Sequence, residues 1–151
     1  MRIKFLITIC FFICGTAIYC VASVASVASV ESEAVKARTK AMSEISDNMR
    51  NLGLMLKGQV DFDLVSAKSA IQNIEKLAAK TPTLFEIEAV DPHAEAKPEI
   101  WSNYEDFVEK ADTLQRVANA ASRSLVSEEG LKDVIMSMGK TCKSCHSLYR
   151  N

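Results

Sequence analysis

The feature that most constrains this chain is a nine-residue run close to its end, Cys142-Lys143-Ser144-Cys145-His146-Ser147-Leu148-Tyr149-Arg150. Two cysteines three positions apart, followed directly by a histidine, form the C-x-x-C-H arrangement that attaches a c-type haem. The two thiols add to the vinyl groups at one edge of the porphyrin, and the next imidazole is then close enough to bind the iron. The motif therefore predicts one covalently bound haem c, attached at Cys142 and Cys145, with His146 as an iron ligand.

Two other uses of such a motif fit this chain poorly. A thioredoxin-like C-x-x-C pair requires a βαβ context, and no stretch of the sequence alternates as a strand does. A structural zinc site requires about four ligands. The only other histidine is His93, and the remaining cysteines, Cys10, Cys14 and Cys20, lie in an N-terminal segment of a different character.

That N-terminal segment has the layout of a secretory signal peptide. Residues 1–4 are a short basic start, residues 5–22 are almost wholly apolar, and a triplet of small residues then repeats. This order predicts a signal peptide over residues 1–28, with cleavage near Ala25 or Ala28, and export of residues 29–151 to the periplasm. The apolar run of about 18 residues also reaches the lower limit for a membrane-spanning helix, so an uncleaved anchor is the alternative.

The composition of the exported part limits its partners. The exported part is long enough for one domain with a single core. Its formal net charge is −3, because the chain has a net charge of −1 and loses the two positive charges of Arg2 and Lys4. This mild acidity argues against a nucleic acid or an anionic membrane surface as a partner. The sequence contains no catalytic constellation, and we expect that the protein is not an enzyme.

Apolar residues recur at threes and fours through most of the remaining chain, with polar residues between them, which predicts helices. Three such faces precede the haem motif. They are Val35, Met42, Ile45, Met49, Leu52 and Leu56; then Leu64, Ala67, Ile71, Ile74 and Ala78; then Trp101, Tyr104, Val108, Ala111, Leu114, Ala118 and Ala121.

Local signals predict where these helices begin and end. Gly58 suits a left-handed cap after the first helix. Pro82 ends the second, because a proline disfavours helical geometry in the residue before it. Residues 83–97 show no clear period and form the long connection. Pro98 opens the third helix at its first position, and Ser127 caps the fourth.

The fourth helix relates the haem motif to the core. Its apolar stripe is Leu131, Ile135, Met138, Cys142, Cys145 and Tyr149. Because both haem-bearing cysteines lie on this inward stripe, the porphyrin must sit inside the bundle and not on its surface. The chain therefore predicts an all-α, antiparallel up-down-up-down four-helix bundle with covalently bound haem inside it.

The first helix supplies candidates for the other side of the iron. In such a bundle its early part lies beside the late part of the fourth helix, so Arg38 and Met42 face the level of His146. A thioether is a soft iron ligand, but methionine is also a common core filler, so Met42 has two interpretations. Arg38, and Arg150 one turn beyond His146, either pair with a haem propionate or lie at solvated helix ends.

The C-K-x-C-H-x-x-Y-R ending, the helical bundle and the signal peptide together resemble the class II c-type cytochromes, the cytochrome c-prime family. Two further landmarks resemble the family, the Lys57-Gly58-Gln59 end of the first helix and the Pro98-Glu99-Ile100-Trp101-Ser102 start of the third. The resemblance covers residues 31–150. It implies haem bound by Cys142 and Cys145, with His146 as axial ligand.

This family has two branches. Five-coordinate, high-spin members have a distal side blocked by an apolar side chain, bind nitric oxide or carbon monoxide, and are usually dimers. In the low-spin branch a methionine of the first helix binds the iron, and the protein transfers electrons. By resemblance, Met42 falls at that ligand position and Arg38 at a basic position lining the haem. This sequence has a methionine at the ligand position, but a methionine there is also similar to the residue that some five-coordinate members have.

We therefore predict an exported electron carrier with His146 and Met42 as axial ligands. The alternative is a five-coordinate protein that binds a diatomic gas, in which Met42 only packs over an open iron. A membrane-tethered redox subunit is a third interpretation, which requires the N-terminal helix to be retained. We expect redox proteins as partners, and either a monomer or a homodimer.

Overall fold

The computed structural model describes the backbone of residues 18–89 and 95–151 and the side chains of residues 30–89 and 95–151. These residues form α1 (Ile18–Leu56), α2 (Leu64–Leu84), α3 (Glu99–Ser102), α4 (Tyr104–Ser124), a short 3-10 turn (Glu128–Gly130) and α5 (Leu131–Tyr149). The four long helices contact one another in the closed order α1, α2, α4, α5. The predicted antiparallel four-helix bundle is confirmed.

The turn between α1 and α2 is built as the sequence predicts. Gly58 has a φ of 65°, the left-handed conformation that glycine adopts without a Cβ penalty. Its N–H donates to the carbonyl of Met55, and the N–H of Gln59 donates to the carbonyl of Leu54, each at 3.0 Å. These two bonds form a Schellman motif, which satisfies carbonyl groups left open at the end of α1.

The end of α2 differs from the prediction. Pro82 lies inside the helix, which continues to Leu84. A proline so close to a helix end removes only one of the last intrahelical bonds, and tertiary contacts compensate. The Tyr104 hydroxyl donates to the carbonyl of Pro82 at 2.7 Å, and the indole N–H of Trp101 donates to the carbonyl of Phe85 at 2.8 Å. These bonds hold the end of α2 against α3 and the start of α4.

The third predicted helix is divided. Pro98 directly precedes α3, which has four residues, and Asn103 then leaves helical geometry with φ −130° and ψ 44° before α4 begins. The prediction of one continuous helix from Pro98 was therefore wrong at its start. Asn103 marks the break, and its side-chain amide donates back to the carbonyl of Glu99 at 3.3 Å. Asparagine readily makes such local bonds, which compete with the helix.

The start of the last helix also differs. Ser127 has an extended backbone and makes no side-chain cap bond to a backbone N–H. The residues after it form the 3-10 turn, and regular α-helix begins only at Leu131. A hydrogen bond with Ser127 instead lowers the pKa of the Glu129 carboxyl. The prediction that Ser127 caps the fourth helix was therefore wrong, because the residue precedes a 3-10 turn that the sequence did not predict.

The bundle interior divides into two clusters of side chains. The first, which we call the main core cluster, fills the bundle from its middle to the end that carries the two short turns. Its buried members are Ile45, Leu52, Met55, Ala67, Ala70, Ile71, Ile74, Ala118, Ala121, Leu125, Leu131, Val134 and Met138. Each of the four predicted apolar stripes contributes residues to this cluster. Leu56, expected to be inward, is 39% exposed, and Met55 is buried instead.

The predicted signal peptide falls largely outside the described residues. Residues 1–17 are not among them, and α1 runs without interruption across the predicted cleavage region from Ile18. His93 also lies outside the described part of the chain. Within that part, no helix combines the length and the apolar character needed to cross a bilayer.

Candidate functional site

The second cluster lies at the opposite end of the bundle, where the haem motif is. We call it the aromatic cluster, and its buried members are Phe85, Ile100, Phe107 and Tyr149. The ring of Phe107 lies 4.9 Å from that of Phe85 and meets the ring of Tyr149 edge-on at 5.5 Å. Met42 from α1 and Cys145 from α5 both pack against this cluster. Residues from every long helix therefore meet at this end.

The two cysteines of the motif are half-buried free thiols on α5. Because they are three positions apart on a helix, they lie on the same face. Burial raises the pKa of both thiols, that of Cys145 to about 11. Both are therefore protonated at neutral pH and pack as small apolar groups. Two unbridged thiols on one helix face, of which Cys145 packs against the aromatic cluster, are suited to hold one edge of a flat apolar group.

His146 follows on the same helix, and its side chain is exposed. The pKa of its imidazole is lowered, first by partial loss of solvation and then by the positive charge of Arg150, while Glu95 opposes the shift. The neutral form therefore predominates at neutral pH. A metal-binding imidazole must be in this form, because the proton occupies the site of the metal.

Met42 occupies the position between the two clusters. Its half-buried side chain packs against the main core cluster and also against the aromatic cluster that Cys145 contacts. Met49, two turns later on α1, packs against the main core cluster. The predicted placement of Met42 at the level of the haem motif agrees with these contacts. Its role as an iron ligand stays a prediction.

Arg38 lies one turn before Met42 and is 2% exposed. Its Nη2 donates to the carbonyl of Ala89 in the connection before α3. Its guanidinium carbon lies 5.2 Å from the ring centroid of Phe85 and 5.3 Å from that of Trp101. The alternative of a solvated helix end is therefore wrong for this residue. Pairing of Arg38 with a haem propionate stays a prediction.

Arg150 is in a different environment. It is about half exposed, and its guanidinium forms an ion pair with the carboxylate of Glu95. The backbone joins the same two segments, because Lys97 N–H donates to the carbonyl of Tyr149 at 3.0 Å and Asn151 N–H to that of Glu95 at 2.8 Å. The end of α5 is thus fastened to the connection. Whether Arg150 also meets a propionate stays a prediction.

Sequence reasoning missed three residues beside the motif. Phe107 is buried, whereas the predicted stripe used Val108, which is half-buried. Asp106 accepts a hydrogen bond from the Tyr149 hydroxyl at 2.5 Å, and Lys110 lies 3.4 Å from the same carboxylate. Spacing could have indicated Phe107, which is three residues after Tyr104 and four before Ala111. The contact between Asp106 and Lys110 has the four-residue spacing of a helical pair, so spacing could have indicated it as well. No pattern indicated the bond from Tyr149 to Asp106, because it joins different helices.

These residues fit a covalent haem. The donor set consists of two free thiols on one helix face and an adjacent neutral imidazole, beside an aromatic cluster and a buried guanidinium. Among the described residues, no group of three or more His, Cys, Asp or Glu side chains forms an alternative metal site. The fold and the motif together define a helical-bundle protein of the c-type cytochrome class.

Comparison with known proteins identifies the family. The family model described as "Cytochrome C'" matches residues 33–150. The chain is 32% identical over 117 residues to cytochrome c-556 of Agrobacterium fabrum, covering 77% of this chain and 80% of that one. It is 31% identical over 121 residues to cytochrome c' of Pararhodospirillum photometricum, covering 77% and 94%. A solved structure of cytochrome c' from Rhodopseudomonas palustris superposes with a TM-score of 0.74 at 26% identity, covering 78% and 95%.

The chain belongs to the cytochrome c' family of class II c-type cytochromes. Its cofactor is haem c with iron, covalently attached, and the chain has one C-x-x-C-H motif to hold it. The family places it among electron-carrier haem proteins. Relatives named c-556 and relatives named c' are both present, so family membership leaves the coordination of the iron to be argued from this chain's own residues.

Proposed function

We propose that this protein is an electron carrier whose haem iron takes His146 of α5 and Met42 of α1 as its two axial ligands. The observation that carries the proposal is that Met42 and Cys145, from different helices, pack against the same aromatic cluster. A side chain of α1 therefore reaches the level of the haem attachment site. The similarity to a relative named cytochrome c-556 is consistent with this branch.

Each residue has a distinct role in this proposal. When bound, the haem supplies an iron that accepts and releases one electron. Cys142 and Cys145 hold it covalently, and His146 is neutral, as an iron ligand must be. The Met42 thioether is a soft ligand that raises the reduction potential relative to an open or oxygen-ligated site.

A second candidate function is a five-coordinate protein that binds nitric oxide or carbon monoxide. Two observations favour it. Met42 also packs against the main core cluster, as a filler would, and a relative at 31% identity is named cytochrome c'. In this candidate Met42 packs over an open iron, and the gas binds on the side of α1.

The spectrum of the purified ferric holoprotein tests the two candidates. We expect the optical and electron paramagnetic resonance signatures of low-spin, six-coordinate iron. A high-spin, five-coordinate spectrum would overturn the electron-carrier proposal and support gas binding.

Replacement of the methionine then identifies the ligand. Met42→Ala is expected to convert the low-spin spectrum to a high-spin one, because the thioether is lost. Met49→Ala is the matched control. Met49 is a half-buried methionine of the same helix, and its side chain packs against the main core cluster. A low-spin spectrum that survives in Met42→Ala means that another group binds the iron.

We further propose that the protein is exported to the periplasm, where redox proteins are its partners. The basic, apolar and small-residue order of residues 1–28 supports this proposal. Covalent attachment also suits an exported protein, because the cofactor cannot dissociate.

A further inference from the structure

A short chain of polar contacts links α4 to the haem-bearing end of α5. The hydroxyl of Tyr149 donates to Oδ2 of Asp106 at 2.5 Å. The Nζ of Lys110 lies 3.4 Å from Oδ1 of the same carboxylate. Asp106 and Lys110 are one turn apart on α4, and Tyr149 is the last residue of α5. We call these three residues the polar chain.

The polar chain lies directly beside the haem motif. Tyr149 is one turn after Cys145 and three residues after His146, and it is 5% exposed. Its ring meets Phe107 edge-on at 5.5 Å, within the cluster that Cys145 contacts. Burial, and to a smaller extent the hydrogen bond to Asp106, raises the pKa of Tyr149 to about 12. The hydroxyl therefore remains a donor at any physiological pH.

Both charges of the polar chain lie close to the haem attachment site. Asp106 accepts from Tyr149, which is one turn after Cys145 and belongs to the cluster that Cys145 contacts, and Lys110 is one turn after Asp106 on α4. Charges at this level of the bundle act on the iron of a porphyrin that is attached at Cys145. The side chain of Lys110 is only 22% exposed, so water screens it less than a fully exposed lysine.

We propose that the polar chain positions the haem and sets its reduction potential. In this proposal the bond from Tyr149 to Asp106 fixes the end of α5 against α4, and the charges of Asp106 and Lys110 shift the potential in opposite directions. The proposal depends on the covalent haem of the family and not on whether Met42 binds the iron. It therefore applies to either coordination state.

The sign of each shift follows from charge. Reduction brings one electron from an external donor to ferric iron and gives ferrous iron, so the site becomes more negative by one unit. A nearby carboxylate disfavours that change, and a nearby ammonium favours it. Loss of the Asp106 charge is therefore expected to raise the potential, and loss of the Lys110 charge to lower it.

Redox titration of the purified holoprotein, followed by its optical spectrum, tests the proposal. Asp106→Asn removes the charge but keeps an oxygen that accepts the Tyr149 bond. Lys110→Met removes the other charge and keeps an unbranched side chain. The matched controls are Asp133→Asn and Lys132→Met, the same changes at exposed positions near the start of α5. The titrations are made at low ionic strength, where screening is weakest.

We expect a higher midpoint potential in Asp106→Asn, a lower one in Lys110→Met, and shifts in both controls that are clearly smaller. Shifts no larger than those of the controls, or shifts of the same sign in both variants, would overturn the electrostatic role. The spin state of each variant, read from the same spectra, reports separately on Met42. If the protein is high-spin but the two variants still shift the midpoint potential in opposite directions as expected, the result contradicts Met42 as the ligand. The same result supports the proposed role of the polar chain.

The anchoring role has its own test. Tyr149→Phe keeps the ring and both charges but removes the hydroxyl that bonds to Asp106. We expect a lower thermal unfolding midpoint for the holoprotein of this variant than for Asp106→Asn, in which the bond can still form. If Tyr149→Phe is as stable as the unsubstituted protein, the bond does not anchor α5.

Discussion

Replacing Arg38 with methionine tests whether the buried guanidinium faces an anionic group of the haem. Arg38 is 2% exposed and donates to the carbonyl of Ala89. Loss of that bond leaves a buried carbonyl unsatisfied, which costs about 1–3 kcal/mol. Loss of the cation–π contacts with Phe85 and Trp101, at 5.2 and 5.3 Å, costs about 0.5–2 kcal/mol more.

An opposite effect makes the sign of the result informative. Removing a buried charge relieves a desolvation penalty of several kcal/mol, and replacing a whole buried ion pair by apolar residues is often neutral or stabilising for that reason. If a haem propionate accepts from Arg38, the substitution instead leaves that carboxylate without its cation. Breaking a buried pair in this way destabilises a protein by about 3–5 kcal/mol. We therefore expect Arg38→Met to lower the free energy of unfolding of the holoprotein by about 3 kcal/mol.

Urea unfolding followed by far-ultraviolet circular dichroism measures this difference. With a denaturant slope of about 1–3 kcal/mol per molar, the midpoint should fall by about 1–3 M. Lys36→Met is the matched control, because Lys36 is on the same helix, its side chain is 69% exposed, and it forms a surface ion pair with Glu33 three residues earlier. This control should change stability by less than about 1 kcal/mol. An Arg38→Met protein as stable as the unsubstituted one, or more stable, would refute the reasoning.

Two further predictions concern the first turn and the N-terminus. Gly58→Ala should destabilise the protein by about 1–2 kcal/mol in chemical unfolding, because an alanine is strained at φ 65° although nothing lies within 4 Å of its Cβ. Gly53→Ala, equally unobstructed but inside α1, should instead stabilise by up to about 1 kcal/mol, and a loss of stability in both would point to a steric cause. The mass of the exported protein should equal that of residues 29–151, within a few residues, plus one haem. A mass that still includes residues 1–28 would support the anchored alternative.

The sequence predicted the features that depend on a repeated spacing of apolar residues or on one strong local conformational preference. Gly58 ends α1 because few other residues adopt its backbone conformation, and the periodic faces of α2 and α5 lie in the bundle core. The C-x-x-C-H motif identified the cofactor, because its chemistry lies within five consecutive residues. Each of these signals is carried by residues close together in the chain.

What the sequence could not predict depends on contacts between distant segments. Pro82 was expected to end α2, but the hydroxyl of Tyr104, 22 residues away, holds the carbonyl of Pro82 in the helix that continues. The break at Asn103 divides into α3 and α4 a segment whose apolar periodicity predicts one helix. The bond from Tyr149 to Asp106 spans 43 residues, and neither residue is unusual in its own helix.

The same contrast explains why one end of the bundle was easier to predict than the other. The main core cluster is packed from regular helix faces, whereas the end with the haem motif is held by side-chain and backbone N–H groups that donate to backbone carbonyls. Arg38 bonds to Ala89 and Trp101 to Phe85, and Lys97 N–H bonds to the carbonyl of Tyr149. All three bonds involve the connection between α2 and α3, which has no helical period. The geometry of the haem site therefore depends on the least regular segment of the domain, and substitutions in that segment should alter the iron environment more than equal changes among the exposed residues of α2.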